Sequence, residues 1–532
     1  MPHDREGQSR RHFLQISMAA VGAGAGVAAT AQPASPADAA PPANEMPAPP
    51  YCSALDAARA IRGKQISSVE LTKLSLERIA KHNPAINAIV QQFPDEAMKR
   101  AQEADAAIAR GEWWGPFHGV PVTVKDCFDQ TGAKCTGGAP ELANNVPTSD
   151  APIVARLRRT GGVIVGRTNV PLFSADMQTY NAVYGTTNNP WDPTRSPGGS
   201  TGGGAASLAA GFDYFTIGSD IGGSIRNPAH FCGVYGHKPT LDVVPNEQEI
   251  ASIPDGKPWP RDLLSVAGML ARSASDIHTG MVALGGPVGD IARGYRWTMP
   301  PARRTRLSEY RMRYVLDHPA CPVLPEVRAK LEESIEALRK AGVQLEEGWP
   351  DGIDPLAQYQ TYAYMLMCVY AREDLTEEQS AQMRSAAKGD PGNPLVLRAK
   401  AWTDFHPGYK DALRTRMAHQ QAWQAYFQTH DAFLMPTAFT TAFPHLQTEP
   451  IELRMIDTGQ GKRLYIDLLF WISFATMTGC PATIAPLGTT SAGLPCGLQI
   501  MGPYMEDATP IDIAGKLADS IGGFTPPPNL LA

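Results

Sequence analysis

SPGGSTGGGAASLAAGFDYFTIGSDIGGSIR, residues 196–226, is two glycine-rich turns joined by a short helical segment. The first turn is Gly198-Gly199-Ser200-Thr201-Gly202-Gly203-Gly204; the second runs from Gly218 through Ser219, Asp220, Ile221, Gly222 and Gly223 to Ser224. Glycine removes the Cβ penalty where backbone bends sharply or approaches a ligand. Two such turns, each carrying serine, bring backbone N–H groups and a hydroxyl together, as an oxyanion site beside a nucleophile requires. A phosphate-binding loop would need a lysine after its last glycine, and none follows here. Gly198-Gly199-Ser200-Thr201-Gly202 also fits the Gly-x-Ser-x-Gly elbow of α/β-hydrolases, with Ser200 as nucleophile and a later histidine as base. That reading leaves the second turn without a role. A flexible, solvated glycine loop is the remaining alternative for the first turn taken alone.

Outward from this stretch, residues 215–217 predict a strand running straight into Asp220 and Ser224, and residues 205–210 a helix. The β-branched run 120–124 predicts a buried strand, with Lys125 at its C-terminal end. Open α/β sheets carry their reactive groups at such ends. Residues 162–166 predict a second buried strand after a helix over 151–160. Ser67-Ser68-Val69-Glu70 caps an earlier helix that Asn83-Pro84 should end, and 95–110 is another. Later helices are expected over 276–284, 324–341 and 511–520, and strands over 432–435, 482–485 and 498–501. Within 353–433, helices over 359–371 and 409–427 are rich in Met, Tyr and Trp; core packing is the first reading of them, pocket wall the second. The alternation of strands and helices implies one α/β domain with helices on both faces of a sheet.

GGSTGGGAAS followed by GSDIGGSIRNPA resembles the signature of the amidase signature family, with Thr201 in place of the usual second serine. The similarity extends to Gly119-Val120-Pro121-Val122-Thr123-Val124-Lys125-Asp126, to Gly166-Arg167-Thr168-Asn169, and to Gly493-Leu494-Pro495-Cys496-Gly497-Leu498-Gln499-Ile500. It covers most of the chain from about Ala54 onward. The resemblance implies a single domain around a mixed central sheet. It also implies hydrolysis of a carboxylic amide through an acyl-enzyme, with no cofactor and no metal. By that resemblance Ser224 is the nucleophile, Lys125 the base and Ser200 the relay between them, Ser200 following a cis Gly199–Ser200 peptide. The N–H groups of Ile221, Gly222, Gly223 and Ser224 suit an oxyanion hole. Thr201, Asp220 and Arg226 support the turn, the last two as an ion pair. Leu172 and Met269 stand where the family usually has an acidic residue and a proline. A non-catalytic binding protein on this fold would be expected to lose a triad member, and none is lost. The implied partner is a small-molecule amide; aryl amides, peptide amides, carbamates and fatty-acid amides stay open, as does a homodimer.

The 532-residue chain is 43% hydrophobic and 19% charged, the balance of a globular protein with a large core. A net charge of −6 argues against a nucleic-acid partner, which favours a concentrated basic face. No internal apolar run approaches the ~18 residues of a membrane-spanning helix. At the front, Arg10-Arg11 precedes an apolar, small-residue stretch, and Ala29-Thr30-Ala31 offers a cleavage site. Residues 1–31 are therefore expected to be a twin-arginine signal, 32–50 an Ala/Pro-rich disordered spacer and 51–532 the amidase domain, in a periplasmic or secreted protein. Eight cysteines without a Cys-x-x-Cys pair read as small core residues rather than a disulfide frame or metal site.

Overall fold

The computed structural model describes residues 49–249, 262–371, 376–390, 393–403, 406–447 and 451–531. The expected signal segment, and all of the spacer before Pro49, lie outside them. Residues Met46–Ala532 pack as one unit.

In chain order the strands are β1 (Ile89–Gln92), β2 (Pro121–Lys125), β3 (Val163–Thr168), β4 (Tyr180–Asn181), β5 (Gly185–Thr186), β6 (Phe215–Asp220), β7 (Tyr235–Lys238) and β8 (Val266–Ala271). They continue as β9 (Arg311–Tyr314), β10 (Gln344–Glu347), β11 (Ala432–Pro436), β12 (Met455–Asp457), β13 (Lys462–Leu464), β14 (Ala482–Thr489) and β15 (Pro495–Met501). Eleven of them form one sheet in the order β1-β3-β2-β6-β8-β7-β14-β15-β11-β9-β10. The sheet is mixed: β2 runs parallel to β3 and β6, the centre from β6 to β11 is antiparallel, and β11, β9 and β10 are parallel again. Every residue of β2, β3, β6, β8, β11 and β15 is buried, as strands covered on both faces require.

Two neighbouring residues of β8 mark the two faces. A Cβ on Gly268 would strike Ile225 Cδ1 at 2.7 Å, on the side of the helix Arg226–Cys232. Met269 points the other way, its sulfur 2.7 Å from where a Cβ on Gly280 would stand in the helix Ala274–Leu284. The methionine in the proline's usual place thus fills the helix–sheet interface. Helices Gly202–Ala209 and Arg226–Cys232 pack together, as do Ala274–Leu284 and Pro325–Lys340 against Ala508–Ile521.

Two expectations are corrected. The helix capped by Ser67 runs from Ser68 through Pro84 to Ile86. Proline in the last turn removes one N–H, and Asn83 holds the chain leaving the helix by accepting from Ala88 N and Ile89 N and donating to Ile89 O. Asn87, left-handed at φ 55°, then ends the helix. The helix expected from residue 205 begins at Gly202, so three glycines of the first turn are helical. They serve close approach: a Cβ on Gly203 would lie 2.5 Å from Asn169 N. Strands β1, β7, β8, β9 and β10 had no separate signal, being short and, in β7 and β8, interrupted by glycine.

Candidate active site

Lys125 ends β2 and β6 is its parallel neighbour, which brings the two glycine turns to the lysine. Lys125 is fully buried, and its Nζ lies 2.7 Å from Ser200 Oγ and 2.7 Å from Ser219 Oγ. The Gly199–Ser200 peptide is cis. Thr201 staples the turns together, its N–H donating to Ser224 O at 3.0 Å and its hydroxyl to Ser219 O at 3.3 Å. The end of β2 is itself held by a buried pair, Arg167 Nε to Asp126 Oδ1 at 2.8 Å. Arg167 also donates to Phe128 O at 2.9 Å.

Asp220 and Arg226 shape the second turn, and neither is exposed. Their contact is bidentate, Nη2 to Oδ1 at 2.7 Å and Nε to Oδ2 at 3.0 Å. The rest of the guanidinium donates to Ile472 O, Thr476 Oγ1 and Gln499 Oε1. The carboxylate in turn accepts from Gly223 N and Ile225 N, each at 3.1 Å. Burial would raise the Asp220 carboxyl, but Arg226 and these donors outweigh it and hold it below the usual carboxylate range. This network corrects the expected oxyanion set. The Gly223 N–H is committed to Asp220, whereas those of Ile221, Gly222 and Ser224 find no acceptor among the described residues.

Ser224 opens on a cavity of about 410 Å³, with Ile221 and Gly222 beside it. The opposite wall comes from the helix Pro355–Val369 and the residue after it, through Tyr359, Ala363, Leu366 and Tyr370, and from Trp402 in Pro394–Thr403. Tyr362 and Met365 of the same helix turn into the core, and Tyr362 donates to Ile221 O at 2.8 Å. This segment is therefore both core and pocket wall. The charged groups on the wall are paired: Asp176 with Arg454 at 2.7 Å, and Arg398 with Glu452. Ser174, on a left-handed stretch with Phe173, presents a buried hydroxyl that has no partner among the described residues. Sequence reasoning missed Ser219 as the second neighbour of Lys125, although it sits inside the second turn. Leu172 is exposed.

A buried lysine between two serine hydroxyls thus lies beside a largely apolar cavity and backbone N–H groups that have no acceptor among the described residues. The amidase family model matches residues 70–510, and the chain belongs to the amidase signature family, whose members act on amide carbon–nitrogen bonds. The chain is 31% identical over 488 residues to an indoleacetamide hydrolase of Bradyrhizobium diazoefficiens, covering 88% of this chain and 86% of that protein. It is 30% identical over 484 residues to a glutamyl-tRNA(Gln) amidotransferase subunit of Acidothermus cellulolyticus, covering 86% of this chain and 91% of that one. The fold superposes on a bacterial aryl acylamidase of the same family with a TM-score of 0.72 at 22% identity, covering 88% of this chain and 96% of that one. No described helix is long and apolar enough to cross a membrane.

Proposed function

We propose that the protein is an exported hydrolase of amides with an uncharged apolar group, working through an acyl-enzyme on Ser224. The observation that carries this reading is the 2.7 Å contact of Lys125 Nζ with Ser200 Oγ, beside an apolar cavity lined by Ser224 and not by Ser200. Neutral Lys125 takes the Ser200 proton as Ser200 takes that of Ser224, and Ser224 Oγ attacks the amide carbon. The Ile221 and Gly222 N–H groups receive the oxyanion. The proton returns through Ser200 to the departing amine, and the C–N bond breaks. Water then repeats the sequence on the ester and releases the acid. Paired charges along the wall favour a neutral aryl or alkyl group in the cavity. The Arg10-Arg11 signal supports a periplasmic or secreted site of action.

The test is a fluorophosphonate label followed by peptide mapping, alongside p-nitroacetanilide and p-nitrophenyl acetate as paired amide and ester. The adduct is expected on Ser224; an adduct on Ser200 would revive the elbow reading. Lys125→Ala should lower anilide turnover by about 10²–10⁴ or more, because the leaving amine needs a proton, and the activated ester by less. Equal losses on both would take Lys125 out of leaving-group protonation.

A further inference from the structure

The turn that carries the proposed oxyanion donors is held from the helix that walls the cavity. Tyr362 of the helix Pro355–Val369 is fully buried, and its Oη donates to Ile221 O at 2.8 Å. No other donor reaches that carbonyl among the described residues. Both partners are tied to one short segment, Ile472 and the helix Ser473–Thr478 that follows it. Gln358, one turn ahead of Tyr362, donates to Phe474 O at 3.2 Å and accepts from Trp423 Nε1 at 2.9 Å. Arg226, which grips Asp220, donates to Ile472 O and to Thr476 Oγ1, each at 2.6 Å. A shared frame therefore sets the separation of the wall helix and the turn, and the hydroxyl bridges it.

We propose that Tyr362 is a positioning residue that, by holding Ile221 O, aims the Gly222 N–H at the oxyanion formed on Ser224; this rests on the acyl-enzyme reading above. The Ile221–Gly222 peptide is planar and trans, so its C=O and N–H point to opposite sides. With the carbonyl fixed on Tyr362, the Gly222 N–H faces away from that hydroxyl and meets no acceptor among the described residues. Ile221 and Gly222 border the cavity together with Ser224. Gly222 has no Cβ, so a half-turn of this peptide plane is sterically open to it. Turned over, the peptide would present its own oxygen to the developing negative charge. Asp220 does not prevent this, because its carboxylate takes the N–H groups of Gly223, Ile225 and Arg226, all beyond that peptide. The carbonyl is the handle that remains, and Tyr362 holds it. Burial raises the Tyr362 phenol well above its ordinary pKa, which keeps the hydroxyl protonated as a donor.

The experiment follows inactivation of the full chain by an alkyl fluorophosphonate, resolved into kinact and KI, and needs no knowledge of the substrate. Tyr362→Phe removes the hydroxyl and keeps the buried ring. It should lower kinact about tenfold, less than the loss of about 10²–10³ from deleting a donor outright, and leave KI within about twofold. An alkyl trifluoromethyl ketone adds to a serine hydroxyl and places a negative oxygen at the same donors. Its Ki, read as protection against labelling, should rise by about the same factor. Both constants belong to the molecules that react, so a lower folded yield does not move them. Gly222→Ala is the second arm. Gly222 is not among the glycines at positive φ, and turning the peptide over would carry it there, where a Cβ is penalised. The loss on Tyr362→Phe should therefore be smaller in a Gly222→Ala background than in the wild type. An unchanged kinact, an unchanged ketone Ki, or equal losses in both backgrounds would overturn the inference. Ser224→Ala separates the two levels. If it is labelled at the wild-type rate, the acyl-enzyme reading fails; if it is unlabelled while Tyr362→Phe reacts as the wild type does, only the role of Tyr362 fails.

Discussion

His230, in the helix that follows Ser224, shows how one buried side chain couples the site's scaffold to pH. It is fully buried: Nδ1 accepts from Gly497 N at 3.0 Å, and Nε2 faces Thr440 O at 3.1 Å. One acceptor and one donor suit the neutral ring with its proton on Nε2. Burial pushes its pKa down to about 4, against the pull of the Gly497 and Thr440 carbonyls. The unfolded chain, near 6.5, takes up this proton first as pH falls. Stability is therefore fully present above about 6.5 and is lost between there and about 4, at about 1.4 kcal/mol per pH unit for this one group. His230→Asn should be less stable at neutral pH, and its stability should approach that of the wild type at about that slope as pH falls. Denaturant unfolding between pH 7 and 4.5 checks this; parallel curves for the two proteins would refute it. Lys125, Ser200 and Ser224 were legible at this scale because their chemistry is written in short runs around them. The contact of Ser219 with Lys125 was not, since it is the pairing of β6 with β2 that brings them together.

At the scale of elements, long apolar strands were legible, whereas the outer strands β1, β9 and β10 and the glycine-interrupted β7 and β8 at the middle of the sheet were not. β2, β3, β11 and β15 are apolar runs long enough to announce themselves, whereas β7 is only Tyr235-Gly236-His237-Lys238. Its burial comes from β8 and β14 on either side. The helix Pro355–Val369 was ambiguous for a related reason. Its side chains are apolar nearly all round, so periodicity cannot separate those meeting the core from those meeting the cavity. Tertiary placement decides: Tyr362 reaches Ile221 O, while Ala363, one residue on, faces the cavity. Ala363 is the small residue on that wall, so a larger side chain there enters the space opposite Ser224. Ala363→Phe should raise KM about tenfold or more for anilides of long acyl chains and leave that of an acetanilide nearly unchanged. Equal effects on short and long acyl groups would show that this cavity does not hold the acyl side.

At the scale of the whole molecule, the cysteines link fold and compartment. None of the eight is in a disulfide, and seven are buried; Cys368 alone is half-buried. They are spread from Cys52, ahead of the first long helix, to Cys496 in β15, and all but Cys135, which lies beside Asp129 and Arg167, pack in or against apolar clusters. Desolvation pushes the thiols up, to about 11 for Cys52 and Cys480 and about 12 for Cys127, Cys321 and Cys496. Since the thiolate is the reactive form, these groups are inert toward oxidants and alkylating agents while the fold holds. A chain folded before it crosses a membrane, as the twin-arginine reading proposes, would carry such thiols into an oxidising space without forming disulfides. Titration of the native protein with a thiol-reactive disulfide at pH 8 should therefore consume about one equivalent, from Cys368, and all eight in denaturant. Exposing purified, folded protein to oxidised glutathione should leave its fluorophosphonate reactivity intact. Rapid modification of several thiols in the native state would mean that the fold opens far more often than its buried sheet implies, and that it could not shield its cysteines after export.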